Sequence, residues 1–257
     1  MNAARKRPGF TLVELLVVIG IIAVLVALLT PVVMQSLTKS RNAAIKAEID
    51  MLHMAIMNYK NEYGSFPPCF DSQFVINGNT YVASGEAAKH LARLFPRCTA
   101  GTTQLNTVAV NSAGNRVNIT PLTALVAWLS GYTADPTSPL LPAANRKKLF
   151  DFDSSRMNLL DVCYFPSGKQ AAPYIYIDKN FYVGSLTNPL IVTSGTYFAH
   201  RVPAAGTTVW NAPLQPAFNP DTFQILCAGR DEEFGNDDDL SNFWPGTRRE
   251  YLDSLKD

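Results

Sequence analysis

The chain has little of what catalytic chemistry usually draws on. Its 257 residues hold three histidines, His53, His90 and His200, in unrelated contexts, and four cysteines, Cys69, Cys98, Cys163 and Cys227. No HExxH, CxxC, GxSxG or phosphate-loop pattern occurs, so the local signatures of zinc hydrolases, dithiol oxidoreductases, serine hydrolases and nucleotide-binding loops are missing. Serine and aspartate are plentiful, yet no local signature joins them into a triad. The expectation is that the chain is not an enzyme. Charge is sparse too, at 17% of residues with a formal net of +1. Arg5, Lys6 and Arg7 precede a long apolar run, and the rest carries 19 basic against 21 acidic residues. Without a basic patch in that remainder, nucleic acid is excluded as a partner of the bulk of the chain. No internal repeat is present.

What the chain does have is lipid-compatible length. From Leu15 to Thr38 there is no charged residue. As a helix, the stretch from Phe10 to Leu29 alone would span about 30 Å, enough to cross a bilayer. A secretory signal peptide would have a shorter apolar core and a small-residue cleavage site, whereas this run passes into Pro31-Val32-Val33-Met34 without one. The expectation is a retained membrane helix over about residues 10–33. The basic cluster in front of it keeps the N-terminus cytoplasmic and sends the chain beyond about residue 35 across the membrane. Within the run stands Glu14. An ionised carboxylate in a membrane helix costs a few kcal/mol or more, so Glu14 needs a partner, a function or a place near the lipid headgroups. Pro31 removes one backbone hydrogen bond and crowds the Ala27 carbonyl, which predicts a kink or a locally melted turn; Gly20 is a second weak point.

"GFTLVELL", Gly9 to Leu16, resembles the leader junction of type IV pilins and type II secretion pseudopilins: a short basic leader ending in Gly, then Phe, then Glu four residues on, then a long apolar helix. The resemblance implies cleavage between Gly9 and Phe10 by a prepilin peptidase and N-methylation of Phe10. It further implies packing of the helices into a filament with copies of the chain and other pseudopilins, on an inner-membrane assembly platform. It assigns Glu14 as partner of a neighbouring subunit's cationic N-terminus, and a proline at the depth of Pro31 is common in the family. The physics agrees, because a buried carboxylate and a buried ammonium are each costly alone and acceptable as a hydrogen-bonded pair.

Past the membrane, Ile45, Ile49, Leu52, Ile56, Tyr59 and Tyr63 recur at spacings of four and three. Arg41, Lys46, Glu48, Asp50 and Lys60 fall mostly elsewhere, so this half is amphipathic and is expected to pack on the chain's own C-terminal domain. Gly64-Ser65-Phe66-Pro67-Pro68 stops the helix, and "YKNEYGSFPP" is similar to the end of the long helix in pseudopilins. One helix from Phe10 to Glu62 would be roughly 80 Å long. Further on, helices are predicted over Ser84 to Phe95 and after Thr120-Pro121, the threonine as N-cap and the proline in the first turn. Strands are predicted over Asp161 to Phe165, Tyr174 to Asp178, Phe181 to Gly184, Thr196 to Ala199 and Phe223 to Gly229. Thr99 to Thr120 and Val202 to Pro220 read as surface loops. Trp128, Trp210 and Trp244 read as core aromatics, and His53 as a packing or surface residue.

Two clusters remain. Asp231-Glu232-Glu233-Phe234-Gly235-Asn236-Asp237-Asp238-Asp239 puts six carboxylates in nine residues. A hard cation with oxygen ligands would neutralise them, although the spacing is not that of an EF-hand; the other reading is a solvated acidic loop. "AGRDEEFGNDDDLSNFW" resembles the C-terminal calcium loop of the major pseudopilin. Carried over, Asp231, Asp237 and Asp239 are the implied side-chain ligands, with Asp238 and the Ala228 carbonyl as further candidates. Asp231-Glu232 in place of Asp-Gly, and Phe243 before Trp244, depart from that pattern. The four cysteines, on the exported side, allow one or two disulfides in three pairings, with Cys69–Cys98 and Cys163–Cys227 favoured, or else buried thiols.

The expected architecture is α+β and pilin-like: a leader at residues 1–9, a long helix over 10–62 with its first part in the membrane, and an exported domain over 63–257. In that domain an antiparallel sheet with loop insertions packs on the helix. The function expected from the resemblance is structural, a pseudopilin of a type II secretion system with possible calcium. It would be anchored in the bacterial inner membrane with its C-terminal domain periplasmic or extracellular. A type IV pilin for adhesion or motility is the nearest alternative, and a membrane-anchored binding module the alternative of another class.

Overall fold

The computed structural model describes residues 11–69, 74–76, 79–81, 86–98, 119–139, 145–158, 163–168, 172–182, 190–192, 195–197, 199–200, 202 and 216–256. Gly9, Phe10, Trp210 and most of both expected long loops lie outside them. The chain divides into two units, Met1–Ala43 and Ala44–Asp257.

Helix α1 runs over Leu12–Tyr63. In the first unit its large apolar side chains face outward, from Val18 at 45% exposed to Leu12 at 78%. By length and composition it can cross a membrane. The melted turn expected at Pro31 is not formed, because helix continues through both Gly20 and Pro31. The bond lost to the missing N–H costs about 3 kcal/mol at such a position, and the intact turns on either side carry it.

In the second unit α1 buries Ile45, Glu48, Ile49, Leu52, Ala55, Ile56 and Tyr59. These seven recur at three and four residues, and they confirm the stripe read from the sequence with one correction. Glu48 belongs to the buried face rather than the polar one. Gly64, with φ +79°, closes the helix, its amide donating to the Lys60 carbonyl at 2.7 Å.

The stripe packs on a three-stranded antiparallel sheet. Strand β5 (Ile175–Asp178) pairs with β8 (Phe223–Cys227), Tyr176 opposite Ile225 and Asp178 opposite Phe223. Strand β8 pairs in turn with β9 (Leu240–Ser241), Cys227 opposite Leu240. Every residue of the three strands is buried, and the core between sheet and α1 is filled by Tyr59, Trp128, Tyr174, Tyr176 and Phe223. Three hairpins accompany the sheet: β1 (Phe74–Ile76) with β2 (Asn79–Tyr81), β3 (Met157–Asn158) with β4 (Cys163–Tyr164), and β6 (Leu190–Val192) with β7 (Gly195–Tyr197). Helices α2 (Glu86–Leu94), α3 (Ala124–Leu129) and α4 (Arg248–Ser254) complete the described elements.

Two expected elements are corrected. Helix α3 starts after Thr123, not at Pro121, because the Thr123 and Ala124 amides both donate to the Thr120 carbonyl, at 3.0 and 2.9 Å, and close a turn first. The strand expected at Phe181 is a 3-10 turn over Lys179–Phe181. Asp178 caps it, accepting from the Asn180 amide at 2.8 Å, and so ends β5. The same carboxylate accepts from the Cys69 amide at 2.7 Å, while Tyr176 Oη donates to the Pro67 carbonyl at 2.7 Å and Trp128 Nε1 to the Pro68 carbonyl at 2.8 Å. The segment after α1 is thereby tied to β5 and α3. The four cysteines, all described, form no disulfide: Cys69, Cys163 and Cys227 are buried thiols and Cys98 is half-buried, so neither favoured pairing is formed. Cys69 is held by its backbone, and burial pushes its thiol well up from the ordinary range.

Candidate functional site

The first candidate is the start of α1. Glu14 is already engaged within its own chain. Its Oε2 accepts from the Thr11 amide and the Thr11 hydroxyl, both at 2.8 Å, while the Glu14 amide donates to Thr11 Oγ1 at 3.2 Å. This is a reciprocal capping box, with Thr11 as N-cap and Glu14 three residues on, and it satisfies two of the amides that a helix N-terminus leaves open. The pattern Thr-x-x-Glu before an apolar run is the signal that sequence reading passed over. The same device recurs at α4, where Thr247 accepts from the Glu250 amide at 3.3 Å and Glu250 from the Thr247 amide at 2.9 Å. Chemically, Glu14 presents an exposed carboxylate, held by exchangeable bonds, at the head of a helix whose first part exposes its apolar side chains.

The second candidate is a buried carboxylate that anchors the other half of α1. Glu48 accepts from Tyr164 Oη at 2.8 Å, Tyr174 Oη at 2.6 Å and Arg156 at 2.6 Å. Arg156 also donates to the Phe165 carbonyl at 3.0 Å, and its guanidinium lies 4.6 Å from the centre of the Tyr164 ring. Burial pushes Tyr164 up to about 12 and Tyr174 further, and the Glu48 carboxylate adds to both. The phenols therefore stay protonated as donors. The cluster joins α1 to β4, to the residue that leads into β5 and to the turn before β3. It is a structural clamp, and only the position of Glu48 within the apolar stripe could have revealed it.

The third candidate is the loop between β8 and β9, which carries the acidic cluster. Asp231 accepts from the Glu233 amide at 2.9 Å and from Asn236 Nδ2 at 2.5 Å, and Asp237 lies 3.3 Å from Arg249. Asp238 Oδ2 accepts from the Arg230 amide at 2.5 Å and the Asp231 amide at 3.3 Å. Asp239, fully buried, accepts from the Gly235 amide at 2.7 Å and sits 3.5 Å from His200 Nε2. The loop is drawn tight at Gly229, where a Cβ would fall 2.3 Å from Asp238 Cγ and 2.4 Å from the Asp238 carbonyl oxygen. Burial, with the neighbouring Asp231 and Asp239 carboxylates, pushes the Asp238 carboxyl up against the pull of the two amides. Among the described residues no group of three or more acidic, histidine or cysteine side chains converges as a preformed metal site. Two oxygens nevertheless fit a hard cation, because Asp238 Oδ1 and Asp239 Oδ1 are buried with no hydrogen-bond donor among the described residues.

Residues 4–30 match the prokaryotic N-terminal methylation motif. No curated protein and no solved structure matches the chain. The matched segment contains the basic cluster, the Gly9-Phe10 junction, Thr11, Glu14 and the first 19 residues of α1. It supports a type IV pilin-like subunit, anchored in a membrane by its apolar helix, processed by a prepilin peptidase and assembled into a pilus-like filament.

Proposed function

We propose that the chain is a pseudopilin of a type II protein secretion system. A prepilin peptidase cuts between Gly9 and Phe10 on the cytoplasmic face, Phe10 is N-methylated, and α1 polymerises with copies of the chain and with other pseudopilins on an inner-membrane platform. The observation that carries this reading is the methylation motif at residues 4–30, laid over the first part of α1, where the large apolar side chains face outward. Arg5, Lys6 and Arg7 favour a cytoplasmic N-terminus, with the C-terminal unit on the far side of the membrane.

In the filament the new ammonium of one subunit takes the Glu14 carboxylate of a neighbour, and Glu14 exchanges its Thr11 bonds for that ion pair. A capping box is worth about 1 kcal/mol, whereas a charge left alone in hydrocarbon costs several, so the exchange favours assembly at one stagger. The acidic loop favours a secretion pseudopilus over a surface pilus, through its resemblance to the pseudopilin calcium loop. Asp238 and Asp239 would hold the ion, with Asp231 and Asp237 released from their present partners to join them and the Ala228 carbonyl as a further ligand. The bound cation would neutralise the clustered carboxylates and fix the β8–β9 connection.

The test is chemical cross-linking of the full chain in cells that assemble the filament. Wild type should give a ladder of oligomers and Glu14→Leu should lose it by about tenfold or more, the effect of an unmet buried charge. An undiminished Glu14→Leu ladder would overturn the role given to Glu14.

A further inference from the structure

The second unit contains a cleft that none of these roles uses. It lies where the end of α1, the segment after it, α2 and the turn after β5 meet, and it encloses about 480 Å³, the size of a small-ligand site. Lys60, Lys89, Arg93 and Lys179 line it, against two acids, Glu86 and Asp221. Glu86 is already taken by Lys89 at 3.0 Å. Among the described residues Lys60, Arg93 and Lys179 enter no ion pair.

Two of these cations, Lys60 and Arg93, are instead positioned by neutral groups, while Lys179 is exposed at the rim. Lys60 Nζ lies 4.4 Å over the centre of the Phe66 ring. Arg93 donates to Ser65 Oγ, and its guanidinium lies 3.2 Å from His90 Nδ1. A guanidinium has no acceptor, so His90 Nδ1 must accept and Nε2 must carry the proton. Nε2 then donates to Tyr59 Oη at 2.7 Å, which leaves the Tyr59 hydroxyl to donate its own hydrogen bond to Tyr132 Oη. Burial and the Arg93 charge bring His90 down to about 4, so at neutral pH the imidazole is an uncharged strut behind Arg93. The floor of the cleft is rigid as well: Phe66 meets Phe223 edge-on at 5.2 Å, and Pro68 is tied to Trp128.

We infer that this cleft binds a small ligand bearing carboxylate or phosphate oxygens, held by Arg93, Lys60 and Lys179. Preset cations with neutral supports bind an anion without first breaking an ion pair, and Arg93 offers the planar fork that such oxygens accept. The Phe66 face gives the body of the ligand an apolar wall. A ligand here joins the end of α1 to α2 and to the turn after β5, and so stiffens the packing of α1 on its own domain.

The test uses the full chain in a non-ionic detergent and calcium-free buffer, titrated separately with succinate and with inorganic phosphate, ionic strength being held constant with chloride. Trp128 lies 5.4 Å edge-on from His90 and reports on the site by fluorescence, alongside the thermal midpoint. Saturable binding of either anion is expected, and the stronger of the two identifies carboxylate or phosphate as the group recognised. Lys179→Gln and Arg93→Gln should each weaken it about tenfold, the effect of losing one charge-assisted contact, while Lys256→Gln, outside the cleft, leaves it unchanged. If Arg93→Gln unsettles His90, the exposed Lys179→Gln decides alone. A response that does not saturate, or that Lys256→Gln reduces as much as Lys179→Gln does, would overturn the assignment.

Discussion

Glu48 is a charge placed in an apolar stripe, and the residues around it explain why that position is stable. Two phenols and a guanidinium satisfy its oxygens, so the cost of burying the carboxylate is met by directed bonds. Removing it would take the carboxylate acceptor from Tyr164 and Tyr174 and leave the Arg156 charge with only the Phe165 carbonyl. Glu48→Leu is therefore expected to lower unfolding free energy by about 3–5 kcal/mol, measured by denaturant titration, and Glu48→Gln by less because one acceptor oxygen remains. Equal stability of Glu48→Leu and wild type would mean that the clamp is dispensable. His90 gives a pH signature of its own. With a folded value of about 4 against an ordinary 6.5, it binds its proton more weakly when folded. The stability it carries is complete above about pH 6.5 and is lost as pH falls toward 4, by up to about 3 kcal/mol. Unfolding titrations across that window should show the loss in wild type and a flatter profile in His90→Gln.

At the scale of elements, periodicity and punctuation made much of the molecule legible. The stripe from Ile45 to Tyr59 follows from helical spacing, Gly64 from its place just past the last apolar residue, and β5 and β8 from their β-branched and aromatic runs. What escaped was decided by side chains bonding to nearby backbone. Asp178 turned the chain out of the sheet before Phe181, Thr120 delayed α3, and Thr11 with Glu14 formed a cap. Hairpin β1–β2 was also missed, although Asn77-Gly78 between two β-prone triplets is a strong hairpin signal. The acidic loop was visible as a charge cluster, but composition could not say that Asp231 and Asp237 are engaged by loop and helix partners while Asp238 and Asp239 each keep an oxygen with no donor among the described residues. That division yields a signed prediction. Calcium should raise the thermal midpoint of the full chain, by about 3 kcal/mol of stabilisation at a hundredfold excess over Kd, and a chelator should reverse it. Asp238→Asn should abolish the rise while leaving the calcium-free protein as stable as wild type or more so, since it removes one of the repelling carboxylates. A midpoint indifferent to calcium and chelator would sink the calcium proposal.

At the scale of the whole molecule, one helix serves two solvents. Its first part exposes a predominantly apolar surface long enough to cross a membrane, and its second part is buried on a three-stranded sheet. The methylation motif sits on the first part, and the sheet domain is built on the second. Such a division suits a subunit that waits in a membrane as a monomer and moves into a filament core, and under the proposed function Glu14 would have a partner in each state: Thr11 before assembly, a neighbour's N-terminus after it. The account rests on the junction being cut. Its most direct test is intact-mass and N-terminal peptide analysis of the full chain produced together with a prepilin peptidase. The expected product lacks residues 1–9 and begins at Phe10 carrying one N-methyl group, with Gly9→Leu blocking both changes. A chain that still begins with its basic leader, or is cut elsewhere, would contradict the account.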